Sequence, residues 1–379
     1  RSLSTLSAEQ QRILEEGSAT GNITAGIVDK IGRGLHKRVN HPLGIIKHRL
    51  ESHFQHSASV PFQCFDSLSP VVSVKQCFDD LLTPSNHVSR QWRDTYYVDE
   101  SRLLRPHMTA YQTELIRAGH QAFLYSGEVF RRDTVDATHY PAFHQMDGVK
   151  LFPKSLLPSD PAVAEEEVLT DLKTTLLGAV RAIFGEVDYR WVDAEFPFTH
   201  PSLELEILYR GEWLEVLGCG VTRQEILANC GKDDHVAWAF GIGLERLAMV
   251  LFRIPDIRLF WSEDPRFTTQ FEGCAASNTV VEFAPFSKFP PCTKDITFWL
   301  PTEGFYDNAF FELVREISGD LVETVELIDQ FTHPKTHRES RCFRIVYRSH
   351  ERNLTNAEID EKQFLLREAT ADRLGVELR

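Results

Sequence analysis

Between residues 122 and 217 the chain offers five strand candidates, at 122–131, 143–152, 189–192, 203–209 and 213–217, with one long helical stretch, 162–184, among them. Two of these strands are separated only by Arg210-Gly-Glu212. A turn that short joins antiparallel neighbours, because a parallel pair needs a crossover of a dozen or more residues. Successive hairpins therefore exclude a doubly wound parallel sheet and predict an α+β domain, an antiparallel sheet backed by helices. Residues 1–60 read as helical: 25–36 carry helical spacing, and Pro42 suits the first turn of a helix over 43–54. A further apolar helix is expected at 109–119. In the run 238–252, Leu244, Leu247, Ala248, Leu251 and Phe252 recur at helical intervals, which predicts a buried amphipathic helix entered through Gly241 and Gly243.

Beyond a linker-like stretch at 264–284 and a proline-rich boundary at 284–291, the pattern changes. Strand 293–300, helix 308–317, strands 321–331 and 341–347, helix 357–374 and strand 376–378 give the order β-α-β-β-α-β, a ferredoxin-like unit. The expected organisation is a helical region at 1–60, a sheet domain at 61–263, a linker at 264–284 and the ferredoxin-like domain at 285–379. No internal repeat is present.

With 379 residues, 42% of them hydrophobic, the chain can build a large core, and no run approaches the roughly 18 apolar residues of a membrane span. A soluble protein without a membrane partner is expected. Seven scattered cysteines without a C-x-x-C predict free thiols, neither a disulfide framework nor a transition-metal site. The first residue is Arg1, which is compatible with a leader having been removed. Net charge is −14, but it is unevenly spread: residues 30–49 hold six basic and no acidic side chains, and residues 332–353 hold six basic and two acidic ones. Two basic segments on an acidic protein are compatible with a polyanion touched at both ends, and also with ordinary solvated faces.

Strand periodicity at 143–149 puts Phe143, Gln145 and Asp147 on one face and His144 and Met146 on the other. An aromatic ring, an amide and a carboxylate thus share a surface with Arg131, which ends the outgoing strand before an 11-residue loop. Such a surface offers stacking for a base, a planar cation for phosphate and acceptors for an ammonium group; a cross-strand polar ladder would look the same. Gly241-Ile-Gly243 is no dinucleotide fingerprint, since Arg246 replaces the third glycine and no βαβ unit precedes it. Phe196-Pro-Phe198 puts two rings on one side of an extended segment. Glu204, Glu206 and Glu215 lie on paired strands and could hold a divalent cation.

The order of these pieces resembles class II aminoacyl-tRNA synthetases. Val129-Phe-Arg-Arg-Asp-Thr-Val-Asp-Ala-Thr-His-Tyr-Pro-Ala-Phe-His-Gln-Met-Asp-Gly148 is similar to motif 2 in its phenylalanine form, Ala239-Phe-Gly-Ile-Gly-Leu-Glu-Arg-Leu247 to motif 3, and Phe78-Asp-Asp-Leu-Leu-Thr-Pro84 to motif 1. Phe196-Pro-Phe-Thr-His-Pro-Ser202 and Trp213-Leu-Glu-Val-Leu-Gly-Cys-Gly220 resemble segments of phenylalanyl-tRNA synthetases, and the C-terminal unit resembles their anticodon-binding domain. The fusion of the two looks like the organellar form, without an editing module and as a monomer.

The resemblance implies ATP-dependent formation of phenylalanyl-adenylate and transfer to the terminal 2′-hydroxyl of tRNA(Phe), in the mitochondrial matrix or a plastid. It implies Arg131 and Arg246 as catalytic residues that with His139, Phe143 and Glu215 bind ATP, and Mg²⁺ at Glu215 and Glu206. Phenylalanine would meet His107, Thr109, Ala110, Tyr111, Gln112, Thr138, Tyr140, Gln145, Met146, Asp147, Phe196, Phe198, Ala239 and Phe240. The tRNA would meet Arg341, Arg344, Arg348 and Arg352. Three positions depart from the family pattern: Thr109 stands where serine is usual, Tyr111 where histidine is common, and Asp147 where glutamate is usual. A noncatalytic paralogue and an adenylating ligase for another acid are the competing readings; the first is expected to lose Arg131, Arg246 or Gln145, the second the paired phenylalanines.

Overall fold

The computed structural model describes residues 6–56, 60–277, 279–285, 289–302 and 304–379. The parts of the sequence assignments that fall on 1–5, 57–59, 278, 286–288 and 303 lie outside the described residues. In chain order the strands are β1 (Gln63–Phe65), β2 (Val71–Ser73), β3 (Arg102–Leu104), β4 (Ala122–Phe130), β5 (Ala142–Pro153), β6 (Asp188–Ala194), β7 (Thr199–Tyr209), β8 (Glu212–Thr222), β9 (His235–Gly243), β10 (Cys292–Trp299), β11 (Val322–Thr332), β12 (Glu339–Tyr347) and β13 (Glu377–Leu378).

Seven of them form one sheet in the order β1-β4-β5-β9-β8-β7-β6. The six long strands run antiparallel to their neighbours, as the hairpin pattern predicts. The short β1 adds a parallel edge to β4 that sequence periodicity did not reveal. The β7–β8 hairpin closes through Arg210 and Gly211 with φ of 55° and 90°, a two-residue turn whose twist matches that of the strands. The helices Pro42–His56, Pro161–Phe184 and Leu244–Phe252 cover one face. They bury Leu43, Ile46 and Leu50, Val168, Leu172 and Leu176, and Leu244, Leu247 and Leu251 in a single core.

The helical spacing over 25–36 yields only a turn of helix, Ala25–Val28, and a 3-10 turn, Leu35–Lys37. Gly32 and Gly34 intervene at φ of 72° and 58°, left-handed backbone that ends a right-handed helix. The expected linker 264–284 instead packs: Phe267, Phe271, Cys274 and Phe283 are buried in the main core.

The C-terminal sheet, β11-β12-β10-β13, is antiparallel and covered on one side by Asp307–Ser318 and Asn356–Leu374 around Phe298, Phe310, Phe343, Ile345 and Leu366. It sits against the loop between β4 and β5. Val135 packs into its core, Val325 N–H donates to Val135 O at 3.0 Å, Arg315 reaches the carbonyls of Asp133 and Thr134, and the Tyr140 hydroxyl donates to Asp320.

Candidate active site

A cleft of about 970 Å³ opens on the sheet face away from the helices. Alternate residues of β5, namely Phe143, Gln145 and Asp147, form one wall, and β5 pairs with β9 from Gln145–Gly243 to Asp147–Gly241, so motif 2 and motif 3 meet across one ladder. Arg131, at the end of β4, holds its guanidinium 5.1 Å from the Phe143 ring centroid and donates through Nε to Pro106 O at 2.7 Å. Burial lowers its pKa from that of a free guanidinium. Arg246, half exposed at the start of the Leu244–Phe252 helix, faces it from β9's end and pairs with Glu215 at 3.1 Å.

The far end of the cleft is apolar and aromatic. Phe196 and Phe198 lie parallel, 5° between planes and 6.0 Å between centroids. Gly218 makes room for them: a Cβ there would come within 2.8 Å of Phe196 Cζ. Ala239 lines the same end. Between this end and the arginines sits a polar group with unused capacity. Thr109 Oγ1 donates to Asp147 Oδ2 at 2.7 Å, while Asp147 Oδ1, Gln112 Oε1 and His107 Nδ1 are buried without protein partners. Burial pushes the Asp147 carboxyl up to about 7, and burial with the Arg131 charge pushes His107 down to about 3, leaving it neutral. A buried carboxylate with an idle oxygen, beside a neutral imidazole and an idle amide oxygen, is a receptor for a small cation. His139 Nδ1 lies 2.7 Å from Asp136 Oδ2 in the loop over the cleft, and Thr138 Oγ1 donates to Asp136 Oδ1 at 2.8 Å.

Not every expected residue joins this surface. Met146 is core on the helix face, whereas Phe240 lines the cleft although its ring stacks on Phe54 at 5.3 Å. Ala110 and Tyr111 are buried behind the wall, where the Tyr111 hydroxyl donates to Ser69 O at 2.8 Å. Tyr140 lines the cleft with its hydroxyl turned to Asp320 of the C-terminal domain. Glu206 is held by Arg190 outside the cleft, and it is Glu204 that lines it near Glu215. Glu206 stands opposite Arg190 on β6, which holds its carboxylate, and the β7–β8 register shifts between Leu205 and Glu206. Burial and the charges of Glu215 and Glu206 raise the Glu204 carboxyl, so this corner favours a cation.

The two basic segments are not free polyanion surfaces. Lys30 pairs with Asp320 at 2.9 Å, Arg33 with Asp29 and Glu263, Lys37 with Asp66 and Lys47 with Glu51, so most of the first segment is neutralised inside the fold. In the second, Arg341 pairs with Asp307, Arg344 with Asp295, Arg348 with Glu323 and Arg352 with Glu358. On β12, Phe343, Ile345 and Tyr347 face the helices; Arg341 shares their parity and Arg344 has the opposite one, so the four arginines do not form one patch.

This fold and cleft are those of a class II aminoacyl-tRNA synthetase: residues 28–271 match the family described as tRNA synthetases class II core domain (F), and residues 287–379 match the ferredoxin-fold anticodon binding domain. Among relatives, the chain is 51% identical to the chloroplastic/mitochondrial phenylalanine–tRNA ligase of Arabidopsis thaliana over 97% of this chain and 85% of that one. It is 48% identical to the mitochondrial enzyme of Dictyostelium discoideum (95% and 89% covered) and 46% identical to that of Mus musculus (94% and 86%). The chain belongs to the phenylalanine–tRNA ligase family.

Proposed function

We propose that the cleft binds phenylalanine and ATP side by side, forms phenylalanyl-adenylate with release of pyrophosphate, and passes the phenylalanyl group to the 2′-hydroxyl of the terminal adenosine of tRNA(Phe) in organellar translation. The observation that carries this reading is the juxtaposition, in one cleft, of two arginines, an aromatic pair and a buried carboxylate with an idle oxygen. The names of the relatives support phenylalanine, tRNA(Phe) and a mitochondrial setting, with the plastid added by the Arabidopsis thaliana relative. In this reading Asp147, Thr109, Gln112 and Gln145 hold the ammonium group, His107 completes their wall, and Phe196 and Phe198 clasp the ring. Arg131 orients the attacking carboxylate against the α-phosphate and stabilises the charge that grows there. Arg246 leaves Glu215 for the γ-phosphate and covers one face of the adenine, with Phe143 on the other; His139 meets the phosphates from the loop.

Glu215 and Glu204, the crowded carboxylates of this corner, would hold Mg²⁺, which supplies charge neutralisation to the triphosphate when bound. The working unit we propose is the monomer, since one chain supplies both arginines and the amino-acid wall. The paralogue and other-acid readings lack support: Arg131, Arg246 and Gln145 all face the cleft, as do both phenylalanines.

Aminoacylation of a tRNA(Phe) transcript with labelled phenylalanine tests the full reaction. Charging that requires ATP, and fails on a transcript ending in 2′-deoxyadenosine, is the expected result; no charging of any transcript by protein competent in adenylate formation contradicts it. Arg344→Ala, on the exposed side of β12, is expected to raise KM for the tRNA severalfold and leave pyrophosphate exchange unchanged, as removal of a phosphate contact does. An equal fall in exchange assigns Arg344 to the fold. Ala239→Gly enlarges the apolar end and is expected to admit para-chlorophenylalanine at least about tenfold better relative to phenylalanine, one methyl group in a pocket being enough for that. Unchanged relative activity removes Ala239 from the pocket.

A further inference from the structure

On the helix-covered side of the sheet, beneath the cleft, three buried side chains from separate segments converge. They are His36, from the 3-10 turn Leu35–Lys37, Glu128 of β4 and His144 of β5, and one ligand-type atom of each lies within 4.8 Å of the other two. His36 is 1% exposed and His144 not at all, yet neither ring nitrogen of His36 and not the Nε2 of His144 has a hydrogen-bond partner. Buried imidazole nitrogens are ordinarily satisfied, so idle nitrogens on both His36 and His144 beside Glu128 are the pattern expected of a site that takes a bound group.

The neighbouring contacts are those that prepare ligands. His144 Nδ1 lies 2.7 Å from Glu245 Oε1, and Glu245 Oε2 accepts the backbone N–H of His144 at 2.8 Å. A carboxylate on Nδ1–H fixes the tautomer that leaves the Nε2 lone pair directed into the cluster. Glu128 Oε1 accepts the Gly34 N–H at 2.9 Å, which ties the His36 turn to β4 and leaves the carboxylate further lone pairs. Charge points the same way. Glu128 and Glu245 are both buried, and among the described residues neither pairs with a lysine or arginine; the nearby Lys37 and Lys47 are engaged by Asp66 and Glu51. Buried Arg105, whose Nε donates to the Glu128 carbonyl at 2.8 Å, neutralises part of this charge without pairing with the carboxylate, and a bound cation would balance the remainder.

We propose that His36, Glu128 and His144 bind one divalent transition-metal ion of the zinc class, with Glu245 orienting His144. Two imidazoles and a carboxylate select zinc-like ions over magnesium or calcium, which take oxygen ligands. Ligands about 2.1 Å from a tetrahedral ion stand about 3.4 Å apart, so atoms that lie within 4.8 Å of one another need only side-chain rotation to close on it. Such an ion is separate from the cleft and its Mg²⁺. It would fasten the N-terminal segment to β4 and β5 and, through Glu245, to the turn of helix that carries Arg246.

The test is the metal content of the full chain, purified without chelator from zinc-supplemented culture. About one zinc per chain is expected, with cobalt(II) replacing it to give the visible absorption of a tetrahedral nitrogen–oxygen site. His36→Asn and Glu128→Gln are each expected to lose the zinc and the cobalt band. Stripping the wild-type protein is expected to lower its melting temperature, re-addition of zinc to restore it, and neither treatment to move His36→Asn. Should both variants fail to fold, the wild-type measurement decides alone. Zinc below about 0.1 per chain after reconstitution, with no cobalt band, means a water or a shared proton fills the cluster and overturns the proposal, as does metal undiminished in folded variants.

Discussion

Arg131→Ala is expected to lower kcat for phenylalanine-dependent ATP–pyrophosphate exchange by about 10³-fold, the order found when a donor aimed at developing charge is removed from a preorganised site. The side chain is well placed to show it. Its Nε is committed to Pro106 O at 2.7 Å, which aims the guanidinium over Phe143 and into the cleft before any substrate arrives. Arg131→Lys keeps the charge and loses the planar fork, so it should recover only a small part of the loss. The melting temperature should move little, because burial already disfavours the charged guanidinium. An alanine variant within tenfold of wild type would remove Arg131 from the chemistry.

The second large effect concerns Asp147. Asp147→Asn is expected to raise KM for phenylalanine about 100-fold, since the ammonium group loses its one buried anionic partner. The wild-type protein should bind phenylalanine more tightly as pH rises through about 7, where the carboxyl ionises, and the asparagine variant should show no such step. Stability runs oppositely. A carboxyl raised from 3.8 to about 7 keeps its proton in the folded protein when the unfolded chain has lost it, so wild-type stability falls as pH rises from about 4 to about 7. Asp147→Asn should therefore melt above wild type at pH 8 and lose that advantage near pH 4. Thermal denaturation across this range checks the sign; a variant that melts lower at pH 8 contradicts the burial argument.

The sequence and the structure part company where contacts depend on register or on distant segments. Period two put Phe143, Gln145 and Asp147 on the cleft wall correctly, because one face of β5 is lined and the other is core. The resemblance named Met146 as well, although it lies in the core on the helix face. Glu206 and Glu204 share a strand face; the ion pair with Arg190 across β6 holds Glu206 outside the cleft, and nothing local to either glutamate marks it. Most of the basic run at 30–49 is neutralised, in part by the flanking Asp29 and Glu51 and in part by Asp66, Glu263 and Asp320, and these last three, distant in sequence, were not legible as its partners. The His36, Glu128 and His144 cluster is the extreme case. Cysteine spacing speaks against a transition metal, whereas the three side chains proposed as ligands come from segments that only the folded sheet assembles.

The ferredoxin-like order of the C-terminal unit was legible because its elements alternate cleanly. Its seating on the β4–β5 loop was not, since Val135 looks like a loop residue until it is found packed beside Val322 and Val325.

The central claim is that this cleft activates phenylalanine and no other amino acid efficiently. ATP–pyrophosphate exchange against all twenty amino acids measures it directly. Exchange driven by phenylalanine, with tyrosine about 100-fold or more behind, is the predicted result, an apolar pocket rejecting an added hydroxyl to roughly that degree. Exchange with none of the twenty, from folded protein supplied with Mg²⁺, or exchange led by a nonaromatic amino acid, would contradict it.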